Sequence, residues 1–170
     1  MKKFLLLCLL VLMGSGRSLG CLEEEKNALL KIKAAFNHPN GSSLPYWRGG
    51  DDDCCGWEGV VCDNTTSRVT RLYLNNTRDW DLPWNWVIDV SLFLPLGDLQ
   101  VLDLSGNILS ELNGASYLKK LKRLYLSFNN LQRVPSLYKQ TSVKTQNLSS
   151  IQLEGTRKIE DHALTYKVWF

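Results

Sequence analysis

The sequence has 170 residues, which is enough for one domain and a terminal tail but short for a two-domain enzyme. With 44% hydrophobic and 22% charged residues, the composition excludes a disordered polymer and a membrane protein with several spans. The formal net charge of +3 would favour an anionic partner if the whole chain persisted.

The start of the chain has the form of a secretory signal peptide. Lys2 and Lys3 precede an apolar run at 4–13, and small or polar residues follow up to Gly20. The run is too short to cross about 30 Å of hydrocarbon, so we expect cleavage before Cys21, with an uncleaved anchor as the alternative. Cleavage would remove three of the 20 basic residues and leave 17, which equals the number of acidic residues. The net charge would then be zero, so it gives no argument for an anionic partner. We therefore expect a secreted chain, extracellular or at the cell surface.

Four cysteines would remain after cleavage, and an even set in an oxidising compartment predicts two disulfides. These residues are Cys21, Cys54, Cys55 and Cys62. The adjacent Cys54 and Cys55 are poorly placed to bridge each other, so their partners should be the other two. Zinc is the alternative, but adjacent cysteines cannot easily take separate corners of a tetrahedron, and the two histidines lack ligand spacing. We expect no metal and no cofactor.

An acidic run before the adjacent cysteines suggests a calcium loop at first sight. Asp51, Asp53 and Gly56 match three positions of an EF-hand. Cys55 and Cys62 stand at two other ligand positions, and the second of these should be a bidentate glutamate. We therefore interpret the acids as solvated loop residues.

Four Asn-x-Ser/Thr tripeptides would become glycan acceptors on a secretory route. Their acceptor residues are Asn40, Asn64, Asn75 and Asn147. Such tripeptides are common by chance, so they support secretion only weakly.

An amphipathic helix is predicted over 22–36. Leu22, Leu29, Ile32 and Phe36 share one helical face, and three glutamates in the first turn suit the helix dipole. Turn-forming residues follow and end the helix. The apolar face of this helix needs a partner to cover it.

An internal repeat follows Arg68. Segments 99–109 and 121–131 both read LxxLxLSxNxL, and each matching pair of residues is separated by 22 positions. A weaker copy at 69–77 keeps both strand leucines but ends in threonine where the others have asparagine. This pattern indicates leucine-rich repeats, in which short strands with one buried face stack into a solenoid with a continuous core. We expect the amide of Asn107 to satisfy backbone groups of its turn and of the neighbouring coil.

The predicted fold class is α/β, a leucine-rich-repeat solenoid with short parallel strands behind a helical, disulfide-bonded N-terminal cap. The predicted organisation is a signal peptide at 1–20, the cap at 21–68, about three repeats at 69–135 and a degenerate repeat or divergent tail at 136–170. In the last segment, 148–156 keeps a faint repeat pattern.

The cap and repeats together resemble the start of plant leucine-rich-repeat receptor-like proteins. The resemblance rests on the string CCGWEGVVC after a leading cysteine helix, followed by LDLSGN and LYLSFN, and it covers the chain to about Pro135. The cap is also similar to those of plant receptor kinases and secreted polygalacturonase inhibitors. The resemblance implies disulfides between Cys21 and Cys54 and between Cys55 and Cys62.

The chain departs from the family pattern after each repeat. The family continues with LxGxIP, whereas Leu109 is followed by SELNG and Leu131 by QRVP. We therefore expect the turn to a second sheet to be missing or irregular. Receptor members also carry more repeats, a second cysteine cap and a membrane helix, so we expect a truncated product, a splice form or a gene-model end.

The spacer between the first two repeat strands is longer than the next one. We interpret 79–93 as an elaborated loop or short helix on the convex side. It contains Trp80, Trp84 and Trp86, which we expect to be core residues rather than a ligand platform.

The residues between the buried leucines predict a binding surface on the concave face. In register they form three rows, with Val101 as an apolar member of the first. The candidate ligand-binding residues are Arg71, Tyr73, Asn75, Asp103, Ser105, Arg123, Tyr125 and Ser127. The alternative is that they are ordinary solvated strand residues.

Catalytic motifs are absent from the sequence, because it contains no GxSxG, no HExxH and no phosphate-binding glycine loop. We therefore expect no enzyme, no catalytic residue and no nucleic-acid partner. The resemblance implies an extracellular recognition module that binds peptide or microbial ligands in defence or development, with a membrane co-receptor kinase as partner of the full-length member. The alternatives are a secreted polygalacturonase-inhibitor-like protein and a non-functional truncated product.

Overall fold

The computed structural model describes residues 20–50, 53–131 and 145–147. This part contains one α-helix, α1 (Glu23–Phe36). The described strands are β1 (Val60–Cys62), β2 (Val69–Tyr73), β3 (Trp86–Asp89), β4 (Val101–Asp103), β5 (Leu109–Asn113), β6 (Arg123–Tyr125) and β7 (Thr145–Asn147). Short 3-10 helices occupy Cys54–Gly56, Val90–Phe93 and Ala115–Tyr117. Residues 1–19 of the predicted signal peptide and the faint repeat at 148–156 lie outside the described residues.

The main sheet has the order β1-β2-β4-β6-β7 within the described residues. Strand β1 runs antiparallel to β2, and all the later pairings are parallel. Leu72, Leu102 and Leu124 pair in register and are completely buried. The predicted solenoid of short parallel strands is therefore confirmed. Strand β7 repeats the 22-residue spacing once more, because Thr145 pairs with Arg123 inside the segment that the sequence marked as degenerate.

Helix α1 begins one residue later than the sequence suggested, and Leu22 is its half-buried N-cap residue. Its apolar face is otherwise as expected, since Leu29, Ile32 and Phe36 are completely buried. These three side chains belong to the same hydrophobic cluster as the repeat leucines. The cap and the solenoid therefore share one core, which shields the first coil from water.

Glu25, one of the three glutamates in the first helical turn, has a fully buried side chain. Its carboxylate accepts hydrogen bonds from Nε of Arg68 at 2.9 Å and from the backbone N–H of Val69 at 3.2 Å. Val69 is the first residue of β2. Glu25 thus links the cap helix directly to the first repeat strand, at a place where a buried charge is tolerated because it is paired.

Both disulfides have the pairing that the family resemblance implied, Cys21 with Cys54 and Cys55 with Cys62. The carboxylate of Asp53 accepts hydrogen bonds from the backbone N–H groups of Cys21 and Cys55, at 3.0 and 2.9 Å. Asp53 is exposed, as expected of a loop acid, but it also forms a hydrogen bond to one cysteine of each disulfide. Asp51 lies outside the described residues.

The consensus asparagines satisfy the turns as expected. Oδ1 of Asn107 accepts from the backbone N–H groups of Thr77 and Arg78 at 3.0 and 2.8 Å, and Nδ2 donates to the carbonyls of Leu74 and Ser105. Thr77, which replaces asparagine in the weaker first copy, is therefore held by the asparagine of the next repeat. A buried amide that bonds in this way stabilises two coils at once.

We expected the turn that leads to a second sheet to be missing or irregular. At the repeat that begins at Leu99 it is not missing. Strands β3 and β5 form a separate two-stranded parallel sheet, and the SELN sequence after Leu109 is one of its strands. The irregular part of the expectation holds to a small extent, since the register shifts once, between Trp86 and Val87. Residues 132–135 of the following repeat lie outside the described residues.

Candidate functional site

Three strands of the main sheet carry the predicted binding rows. Parallel pairing places Arg71 beside Val101 and Val101 beside Arg123. The same pairing aligns Tyr73, Asp103 and Tyr125 in the next row. Neighbouring strands lie about 4.8 Å apart, so each row spans about 10 Å from its first to its third residue. The predicted register is confirmed for these two rows.

The two complete rows differ in exposure. Arg71 and Arg123 are exposed, while Val101 between them is only 6% exposed. Tyr73 is exposed, and Tyr125 and Asp103 are half-buried. The first row therefore presents two cations, separated by the buried side chain of Val101. The second row presents a carboxylate between two tyrosine side chains.

The third row lies just beyond the strands and is less uniform than expected. Asn75 is exposed and Ser105 is half-buried. Ser127 is only 4% exposed, so its inclusion among the candidate surface residues is corrected. Its carbonyl accepts a hydrogen bond from the backbone N–H of Gly106 at 2.8 Å, which makes it part of the connection between coils.

The central acid of the surface has a fixed orientation. Oδ1 of Asp103 accepts a hydrogen bond from the backbone N–H of Ser105 at 2.9 Å. A preoriented carboxylate between two tyrosines suits a ligand that carries a hydrogen-bond donor or a cation, because less side-chain freedom is lost on binding. The flanking tyrosines supply apolar area with a polar tip.

Strands on either side extend these rows. Val61 of β1 pairs with Arg71 and is exposed, so the cap contributes to the same face. On the other side, Thr145 pairs with Arg123 and Asn147 with Tyr125. Asn147 begins one of the four glycan-acceptor tripeptides. The remaining acceptors, Asn40, Asn64 and Asn75, are all exposed.

The spacer at 79–93 differs from its sequence interpretation in the exposure of its tryptophans. Trp80 and Trp84 are 53% and 58% exposed, so the expectation that they are core residues is wrong. Trp86 is half-buried and packs its ring edge-on against Phe36, with ring centroids 4.7 Å apart. The spacer contains a 3-10 helix at Val90–Phe93, as the short-helix interpretation expected, and also the strand β3, which the sequence did not indicate.

Arg78 was not singled out by its sequence context, yet it is buried beneath this spacer. Its guanidinium lies 4.3 Å from the ring centroid of Trp86, and Nη1 donates to the carbonyl of Phe36 at 2.8 Å. Burial lowers the pKa of the guanidinium from its ordinary value, and the nearby Asp79 opposes this. An arginine two residues before an exposed tryptophan gives no periodic signal, which is why only the folded arrangement identifies it.

Two negative findings concern the described residues only. They contain no group of histidine, cysteine or acidic side chains that could hold a metal ion. They also contain no helix that is long and apolar enough to cross a membrane.

Comparison with known proteins agrees with this geometry. The leucine rich repeat N-terminal domain model matches residues 22–63, and the Leucine Rich Repeat model matches residues 120–140. Receptor-like protein 9b of Arabidopsis thaliana is 34% identical over 150 residues, which cover 81% of this chain and 15% of that protein. The chain carries the N-terminal cap and the first repeats of a plant leucine-rich-repeat receptor-like protein. Another relative in this group, Cuscuta receptor 1 of Solanum lycopersicum, is 40% identical over 112 residues, which cover 62% of this chain and 10% of the relative.

Solved structures show the same receptor-like fold. A chain of the BIR3–SERK2 complex from Arabidopsis thaliana superposes with a TM-score of 0.57 at 25% identity, over 74% of this chain and 68% of that one. The BIR2 ectodomain from the same plant gives a TM-score of 0.53 at 25% identity, over 75% of this chain and 68% of that one. By contrast, this chain spans only 15% of receptor-like protein 9b and 10% of Cuscuta receptor 1.

Proposed function

We propose that this receptor-like chain is an extracellular recognition module that binds a peptide or protein ligand on the rows of β2, β4 and β6. The observation that carries the proposal is the side-by-side alignment of Tyr73, Asp103 and Tyr125, with Arg71 and Arg123 in the adjoining row. Tyrosine and arginine are the residue types that contribute most to protein interfaces. The proposal assigns the chain no reaction.

An extracellular location is supported by the two disulfides of the cap, because such bonds persist in oxidising compartments. A signal peptide at the start of the chain and glycans on the acceptor asparagines complete this part of the proposal. The exposure of Asn40, Asn64 and Asn75 supports the glycans.

The wider role that we propose is perception of peptides or microbial molecules in defence or development, with a membrane co-receptor kinase as partner. The name Cuscuta receptor 1 supports a receptor role. A fold neighbour crystallised as a BIR3–SERK2 complex, which supports a second protein as partner.

The test is capture of a ligand from a displayed peptide library by the purified chain. The decisive variant combines Tyr73→Ala, Asp103→Asn and Tyr125→Ala, in which asparagine keeps an acceptor for the Ser105 N–H. The matched control is Tyr46→Ala with Tyr117→Ala, because both tyrosines are exposed outside the rows. We expect the triple variant to lose the captured peptides and the control to retain them.

Retention of the peptides by a folded triple variant would overturn the assignment to these rows. The inhibitor alternative has its own assay. If the chain lowers polygalacturonase activity on mixing and captures no peptide, that alternative replaces the receptor proposal.

A further inference from the structure

A second surface is formed by the spacer between β2 and β3. Trp80 and Trp84 project from it with more than half of each side chain exposed, and their rings meet edge to face at 6.1 Å between centroids. Leu82, between them in sequence, is buried. The leucine between the two tryptophans therefore points inward while both indoles point outward. Large apolar side chains exposed together in this way mark a binding surface.

The spacer is held firmly at its base. Arg78 is bonded to Phe36 and stacked on Trp86, as described above. Next to it, Oδ2 of Asp79 accepts a hydrogen bond from the backbone N–H of Ser42 at 3.1 Å. These contacts tie the spacer to the end of the cap helix, so the indole pair is preorganised rather than carried on a loose loop.

Exposed acidic residues flank the indole pair along the chain. Asp81 is exposed beside Trp80, and the outward positions of β3 are Val87 and Asp89, both exposed. Val87 pairs with Glu111 of β5, which adds a further acid to this side of the second sheet. The hydrogen bond from the Ser91 N–H lowers the pKa of Asp89, so this carboxylate stays charged in mildly acidic solution.

We propose that this aromatic–acidic surface, formed by Trp80, Asp81, Trp84, Val87 and Asp89, binds an extended basic segment of a protein partner. Lysine or arginine side chains lie against the indole faces, and their charges pair with the carboxylates. Tryptophan is the aromatic residue that attracts cations most strongly, and complementary charge brings the segment to the surface and orients it.

The molecule already uses this chemistry once, where the Arg78 guanidinium lies over Trp86. The proposed surface includes strand β3 of the second sheet and therefore lies on a different sheet from the rows of β2, β4 and β6. The two surfaces can be tested separately, since the inference does not depend on the function proposed for those rows.

The experiment measures fluorescence anisotropy of a labelled synthetic peptide of alternating glycine and lysine or arginine, titrated with the purified full chain. The control peptide has the same length, with acetyl-lysine and citrulline in place of the cations. The test variant is Trp80→Ala with Trp84→Ala. Its matched control is Phe128→Ala, since Phe128 is an aromatic residue in another coil and is even more exposed than the two tryptophans.

We expect the basic peptide to bind, the uncharged peptide not to bind, and the double variant to bind about tenfold more weakly, as the loss of two exposed cation–π contacts implies. Phe128→Ala should leave the affinity unchanged. Asp81→Asn with Asp89→Asn should also weaken binding and flatten its dependence on salt. Equal binding of both peptides, equal affinity of the double variant, or binding of cello-oligosaccharide in place of the basic peptide would each overturn the proposal.

Discussion

Asn129 accepts a hydrogen bond from the backbone N–H of Asn107 at 3.0 Å, so the asparagine of one coil fixes the turn of the coil before it. Asn129 also accepts from the N–H of Leu109 at 3.0 Å and donates to the carbonyl of Leu104 at 2.8 Å. Asn107 bonds in the same way to the coil that contains Thr77. These amides form a ladder that replaces the hydrogen bonds which the turns cannot make for themselves.

Replacing Asn107 by alanine should lower the free energy of unfolding by about 2–5 kcal/mol, because it leaves buried backbone groups of Leu74 and Arg78 without partners. Urea denaturation of the oxidised chain measures this. Asn113→Ala is the control, since Asn113 is exposed and should cost less than about 0.5 kcal/mol. Equal midpoints for the two variants would show that the ladder contributes no stability.

The two disulfides should contribute unequally. The Cys21–Cys54 bond closes a sequence separation of 33 residues and the Cys55–Cys62 bond one of 7. Loop-closure entropy gives about 3.7 kcal/mol for the first and about 2.4 kcal/mol for the second. We therefore expect the Cys21→Ser, Cys54→Ser variant to melt at a lower temperature than the Cys55→Ser, Cys62→Ser variant. The reverse order would contradict this account.

Glu25 provides a test of how the cap is attached. Glu25→Ala removes the closer of two acidic partners of Arg68 and leaves the Val69 N–H without its carboxylate acceptor, so it should destabilise the fold by about 3 kcal/mol. Glu25→Gln keeps an acceptor and should cost less. Glu24→Ala is the matched control in the same helical turn, because Glu24 is exposed. A similar loss for Glu24→Ala would mean that helix-end electrostatics, rather than the buried contact, explains the effect.

Gly59 and Gly106 both have left-handed backbone angles, with φ of +77° and +68°. An added Cβ at Gly59 would meet the backbone carbonyl of Tyr73, whereas at Gly106 it would meet the end of the Asn76 side chain, which can rotate away. We expect Gly106→Ala to cost about 1–2 kcal/mol for its backbone angle alone and Gly59→Ala to cost clearly more. Thermal unfolding of the two variants side by side measures the difference. Equal losses would show that β1 shifts away from Tyr73 without penalty.

Sequence patterns predicted the features that depend on local spacing. Leu102 and Leu124 stand at equivalent places in two copies of one motif, so their pairing follows from the repeat alone. The helical face of Leu29, Ile32 and Phe36 follows from the period of the helix. The bonding of Asn107 followed from its place after a strand.

The missed features depend on contacts between distant segments. The SELN strand after Leu109 lacks the family's usual motif, and its partner β3 lies in an unrelated spacer, so no periodicity joins them. The exposure of Trp80 and Trp84 reverses the usual preference of tryptophan for burial. Ser127 is buried although the equivalent Ser105 is only half-buried, a difference between coils that a strand pattern does not show.

Strand β1 is the one described strand of the main sheet that runs against its neighbour, so the two ends of this sheet differ. Every later strand of the main sheet points the same way as its neighbour, so a further copy of the 22-residue unit can be inserted between coils and find the same leucine and asparagine partners. A copy between β1 and β2 would instead separate Val69 from Glu25 and Tyr73 from Gly59, which are contacts between the cap and the first repeat strand. The repeats beyond β2 can therefore accommodate a further copy of the unit, while the cap and β2 are joined by contacts that such a copy would break.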